Sequence, residues 1–161
     1  MKTILIILTA FLIDGSLTIT STSFAENGQI PSKYTCDGDN ITPSLHINNL
    51  PKETKTMAVI MHDPDAPKKG GFTHWVVWNI EPMMNIPENF KGGDNGMNGA
   101  NIDGYTGPCP PYGIHHYHFN VYALDTKLTL ETTTGKDGLE KAMQGHILAK
   151  GELIGLYERK K

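Results

Sequence analysis

A chain of 161 residues that is 39% hydrophobic and 19% charged is sized for one folded domain and is too apolar to stay disordered. Its 14 Lys+Arg against 17 Asp+Glu leave a formal net charge of −3, so no broad basic field awaits a nucleic-acid backbone, and any anion must be held by a local site. The 17 Gly and 10 Pro favour a turn-rich, strand-rich fold over a helical bundle.

At the start of the chain, Lys2 precedes an apolar run that ends at Ile13. One positive charge followed directly by a short apolar run reads as a secretory leader over residues 1–15, with residues 16–161 as a single domain. That reading places the protein in the periplasm or outside the cell, with a mature start between residues 16 and 26. The alternative is a buried N-terminal strand in a cytoplasmic protein. No apolar run reaches the roughly 20 residues of a membrane span.

Residues 17–23 alternate apolar and hydroxyl side chains and predict a half-buried strand. Residues 26–44 are dense in Gly, Asp, Asn and Pro and predict a loop, followed by a short strand at residues 45–47. Strands are predicted at residues 55–62, 73–80 and 114–124, where apolar, aromatic and β-branched side chains concentrate. Residues 63–71 form a rigid loop between the first two, and residues 81–103 form a long polar connection of the kind that often carries function. Apolar residues at 139, 143, 147, 153 and 157 predict a helix over residues 139–157. The expected architecture is mainly β, two packed antiparallel sheets with a C-terminal helix.

Three segments concentrate chemistry. In Asp63-Pro64-Asp65-Ala66-Pro67, two prolines stiffen the backbone around two carboxylates, more than a solvated turn needs. In the next strand, alternation groups His74 with Val76 and Trp78, and Thr73 with Trp75 and Val77. His74 is there either a packing residue or a ligand. The third segment is Gly107-Pro108-Cys109-Pro110-Pro111 followed by the strand from Ile114. In that strand His115, Tyr117 and Phe119 share one face, and His116 and His118 share the other. Polar rings emerging from a proline-rigid turn sit where pocket walls form.

His116 and His118 could chelate a metal, but no metal-ligand spacing accompanies them, so anion binding ranks above metal binding and no cofactor is expected. No nucleophile motif is present, and a non-catalytic protein is expected. Cys36 and Cys109 fit an exported protein with one disulfide, and two separate buried thiols are the alternative. Such a bond closes a loop of 73 sequence steps, worth on the order of 4 kcal/mol in the chain-entropy model.

DPDAP followed by HWVVWNI, then GYTGPCPPYGIHHYHFNVYALD, together resemble the two conserved blocks of the phosphatidylethanolamine-binding protein family. The resemblance is to its bacterial, Raf-kinase-inhibitor-like branch and extends over residues 17–159. It implies a Greek-key β-sandwich with a small anion pocket at one end. By motif position Asp63, His74, Pro110, His115 and Tyr117 match pocket residues, and Gly107 and Cys109 match its rim. Asp65 matches the second carboxylate, supporting the loop. The implied guest is a small phosphorylated or zwitterionic molecule such as phosphate or phosphoethanolamine. Its affinity is expected to rise as histidine protonates near pH 6–7.

A kinase or peptidase inhibitor acting on a protein target is the second reading, and a metal-dependent hydrolase the third. A homodimer is a further expected partner. The chain departs from the family in a shortened C-terminal helical segment and in a leader that overlaps the first strand, which argues for cleavage before Ala25 or none.

Overall fold

The computed structural model describes residues 15–159. In chain order the strands are β1 (Gly15–Ser16), β2 (Thr18–Thr20), β3 (Gly28–Gln29), β4 (Leu45–Asn48), β5 (Thr56–Asp63), β6 (Phe72–Ile80), β7 (Asn85–Ile86), β8 (Asp94–Asn95), β9 (His115–Leu124) and β10 (Ile147–Tyr157). Helix α1 (Lys136–Met143) lies between the last two. Of the predicted leader, residues 1–14 fall outside the described residues, and Gly15 already belongs to β1.

The long apolar runs β5, β6, β9 and β10 form the centre of one sheet, ordered β1-β10-β9-β5-β6-β8, with β3 also on β10. A second sheet, ordered β2-β4-β7, covers one of its faces. Leu45, Ile47, Val59, Trp75, Phe119 and Leu153 are among the buried side chains between them. Helix α1 covers the opposite face, where Leu139 and Met143 pack with Ala58, Ile60, Val76 and Trp78. Cover on both faces explains why β5 reads as a continuous apolar run with hardly an alternating residue. The central pairs are antiparallel, as expected, but β1 and β3 run parallel to β10, so the large sheet is mixed.

The C-terminal helix is present but stops at Met143, and residues predicted to continue it form β10. The spacing of 139, 143 and 147 mimics a helical stripe. Beyond Gly145, which has φ 78°, the pattern has period two: Ala149, Leu153, Gly155 and Tyr157 face inward, and Lys150 and Glu152 face out. Glycines at 151 and 155 disfavour a helix. In the strand Gly151 fits where a Cβ would collide with Leu17 O.

A β-bulge decides the position of one site residue. Met61 pairs with Trp75 and His62 pairs with Thr73, leaving His74 as an extra residue on β6. The bulge swings His74 out of register with Val76 and Trp78, onto the face that carries Tyr117.

Candidate functional site

Asp63 ends β5, and the two prolines after it supply no backbone donors to extend the ladder. Its Oδ1 accepts the Asp65 N–H at 2.8 Å, closing an Asx turn. Its Oδ2 accepts from His115 Nδ1 at 2.8 Å, and both side chains are only 4% exposed. Asp65 points elsewhere: its Oδ2 accepts both the backbone N–H and Nδ1 of His116, at 2.8 and 2.7 Å, tying the loop to the outer face of β9. His116 holds the Asp65 carboxyl below the usual carboxylate range.

The alternation of β9 turns His115 and Tyr117 inward. With Asp63 and the bulge-displaced His74 they line one cavity of about 210 Å³. Gly107, Cys109 and Pro110 complete its wall, so every residue matched to the pocket or its rim lines the cavity, while Asp65, matched to a supporting role, stands outside. The structure adds Lys68, Phe72 and Thr106 to the lining. Phe72 packs edge-on against the His74 ring, with centroids 4.7 Å apart. Lys68 has no ion pair among the described residues, and its place beside the proline loop was the one sequence signal for it. His116 and His118 face away, toward Asp65 and Glu152. Among the described residues no group of three metal-ligating side chains forms.

His74 Nδ1 lies 2.7 Å from Thr106 O, and His115 Nδ1 is held by Asp63. A carbonyl and a carboxylate only accept, so both Nδ1 atoms carry hydrogen, and each Nε2 is a lone pair while its ring is neutral. Burial pulls His74 down to about 4. Tyr117 is fully buried, and its hydroxyl has no hydrogen-bond partner among the described residues. Burial, then the Asp63 charge, push that phenol far above the usual tyrosine range, so it remains a donor throughout neutral pH.

The outer wall is braced by the loop at residues 34–40. Asn40 Oδ1 accepts the Gly107 N–H at 2.7 Å, Pro108 O accepts the Cys36 N–H at 3.1 Å, and Tyr34 O accepts the Tyr105 hydroxyl at 2.7 Å. A Cβ on Gly107 would sit 2.5 Å from Tyr34 O. Glycine is therefore required here by this crossing of two backbones, and its N–H is spent on Asn40 rather than offered to a guest. Cys36 and Cys109 are joined by a disulfide with Cα atoms 5.5 Å apart.

A family model described as phosphatidylethanolamine-binding protein matches residues 20–158. The chain belongs to the phosphatidylethanolamine-binding protein family. A UPF0098 protein of Pyrococcus horikoshii is 50% identical over 151 residues, spanning 87% of this chain and 76% of that protein. The crystal structure of a phosphatidylethanolamine-binding protein homologue from Chlamydia trachomatis superposes with a TM-score of 0.86 at 39% identity, covering 91% of this chain and 99% of its own. Escherichia coli YbcL, described as a new member of the mammalian family, superposes with a TM-score of 0.83 at 30% identity, covering 91% of this chain and all of its own.

The buried, neutral His74 has a consequence for stability. Its folded value of about 4 lies below the 6.5 of an ordinary histidine, so the unfolded chain takes up the proton first. Its contribution is present in full above pH 6.5 and is lost as pH falls toward 4, by about 2–3 kcal/mol at pH 4.5. Urea unfolding of the wild type and His74→Gln at pH 7.5 and 4.5 measures this. The variant should lose less stability on acidification, and an identical loss would contradict the assignment.

Proposed function

We propose that the protein binds, without transforming, small phosphoryl compounds that carry a cationic end, of the phosphoethanolamine kind. The observation that carries this reading is the unpartnered Tyr117 hydroxyl in a cavity shared with two imidazoles. A buried hydroxyl without a partner costs about 1–3 kcal/mol, which a guest offering an acceptor recovers. Lys68 adds a cationic side chain to the cavity wall, and Asp63 gives the guest's cationic end a partner. At about 210 Å³ the cavity suits a headgroup, being smaller than the roughly 300–1,000 Å³ of drug-sized sites. The non-catalytic reading rests on the absence of an activated nucleophile among the described lining residues. Cys109 is in a disulfide, and Thr106 Oγ1 accepts from Asn98 Nδ2 at 2.8 Å. The family's name supports the ligand class. An exposed disulfide fits the exported location that a leader implies.

Because both Nε2 atoms accept until their rings are protonated, a phosphoryl oxygen can be met there only with a proton. His74, at about 4 in the free protein, places its share of the affinity rise below the pH 6–7 expected from an ordinary histidine. Calorimetric titration with glycerophosphoethanolamine, whose diester charge is constant over this range, tests the reading. Saturable binding that tightens from pH 7.5 to 5, and that exceeds the affinity for inorganic phosphate, is expected. No saturable heat, or an affinity flat with pH, would overturn it. A short-chain phosphatidylethanolamine binding more tightly than glycerophosphoethanolamine assigns the lipid as source, and equal affinities assign the free headgroup.

A further inference from the structure

The outer wall of the cavity is held in an unusual way. Pro108, Pro110 and Pro111 have no backbone N–H to donate. The ladder of β9 begins only at His115. Among the described residues no hydrogen bond reaches any group from Cys109 through Ile114. Yet Cys109, Pro110 and Pro111 line the cavity. What fastens this stretch is the bond from Cys109 to Cys36.

Cys36 is itself well anchored. The next residue, Asp37, accepts the Tyr157 hydroxyl at 2.7 Å and Arg159 Nη2 at 2.8 Å, which ties the loop to the end of β10. The Arg159 and Tyr157 hydrogen bonds hold the Asp37 carboxyl below its ordinary range, so the clamp stays ionised at neutral pH. The disulfide thus passes the rigidity of the central sheet to the stretch from Cys109 onward, past the last hydrogen bond of the wall among the described residues, Cys36 N–H to Pro108 O. Both half-cystines are solvent-exposed, unlike the buried bonds that resist reduction.

We infer that Cys36–Cys109 is a thiol–disulfide exchange site, reducible by an external dithiol, and that its redox state sets the affinity of the cavity for its phosphoryl guest. The guest's identity rests on the proposed function above. In the exchange, one thiolate of the dithiol attacks either cysteine sulfur. A mixed disulfide forms, the Cys36–Cys109 bond breaks, and the other cysteine leaves as a thiolate that takes a proton from water. The dithiol's second sulfur then attacks the mixed disulfide and releases the remaining cysteine. Two electrons and two protons reach the protein, and the dithiol leaves as its own disulfide. With the strut open, the wall from Cys109 to Pro111 loses its covalent tie to the 34–40 loop, and the guest must order it on binding.

The test compares the oxidised chain, the dithiothreitol-reduced chain and the double variant Cys36→Ser/Cys109→Ser in titrations with glycerophosphoethanolamine, with free thiols counted. Reduction and the double variant should each weaken binding at least tenfold, and reoxidation of the wild type should restore it. Affinities within twofold of each other would overturn the inference. Should the reduced chains fail to fold, Asp37→Ala in the oxidised chain carries the test. It frees the anchored end of the strut with the disulfide intact, and unchanged affinity there overturns the inference equally. If the oxidised chain binds no glycerophosphoethanolamine, the ligand reading fails by itself. The strut is then judged by the ring resonances of His74 and Tyr117, which must move on reduction and would refute it by staying fixed.

Discussion

Replacing Tyr117 by phenylalanine is expected to weaken binding of glycerophosphoethanolamine by about tenfold or more, roughly 1.4 kcal/mol, while leaving the protein at least as stable. Most substitutions in a core lower stability and function together. Here the two effects should part. The ring keeps its place against His74, with centroids 5.2 Å apart, and only a hydroxyl without a partner among the described residues is removed. Deleting a buried unpaired polar atom stabilises by about 1 kcal/mol, whereas the guest loses a side-chain donor that stays protonated throughout neutral pH. Urea unfolding and calorimetry on the same preparations measure both quantities. A Tyr117→Phe protein that is less stable and binds as well as the wild type would show that the hydroxyl has a structural partner and no ligand.

The second large effect belongs to Asp63. Its carboxylate satisfies the His115 imidazole and the Asp65 amide, each at 2.8 Å, in a site nearly sealed from water. Asp63→Ala strands both donors, and breaking a buried pair in this way costs about 3–5 kcal/mol. It also releases the His115 tautomer, so binding should be lost with it. Asp65→Ala is the control, because Asp65 and His116 are about half exposed and pairs of that kind contribute about 1 kcal/mol or less. Equal losses of stability in the two variants would contradict the division of labour between the two carboxylates.

The central strands were legible because β5, β6 and β9 are runs of apolar, aromatic and β-branched residues between turn-rich segments. The short strands β1, β3, β7 and β8, each two residues long, lie below what periodicity resolves. The last strand was misread because Leu139, Met143 and Ile147 fall at helical spacing across the junction between α1 and β10. The decisive features there are glycines, and a glycine has no side chain with which to mark a face.

In the site, Asp63, His115 and Tyr117 were readable from strand parity and from a rigid turn. His74 was placed there by motif position but not by parity, because a single inserted residue inverts parity, and nothing local announces the bulge at Met61 and His62. The role of Gly107 was likewise hidden: its partner, the loop at Tyr34 and Thr35, is distant in sequence. Lys68 was visible as a cation beside the proline loop, but its place in the cavity wall depends on a turn closed by the Gly71 N–H donating to Lys68 O at 2.9 Å.

Affinity for an anion here turns on the buried, neutral His74, which presents a lone pair to the cavity and must gain a proton to meet a phosphoryl oxygen. Titrating glycerophosphoethanolamine at pH 6 in two buffers of different ionisation enthalpy measures that proton directly. The predicted result is a buffer-dependent heat corresponding to uptake of a substantial fraction of a proton per guest bound, reduced in His74→Gln. Equal heats in both buffers, with binding intact, would contradict it.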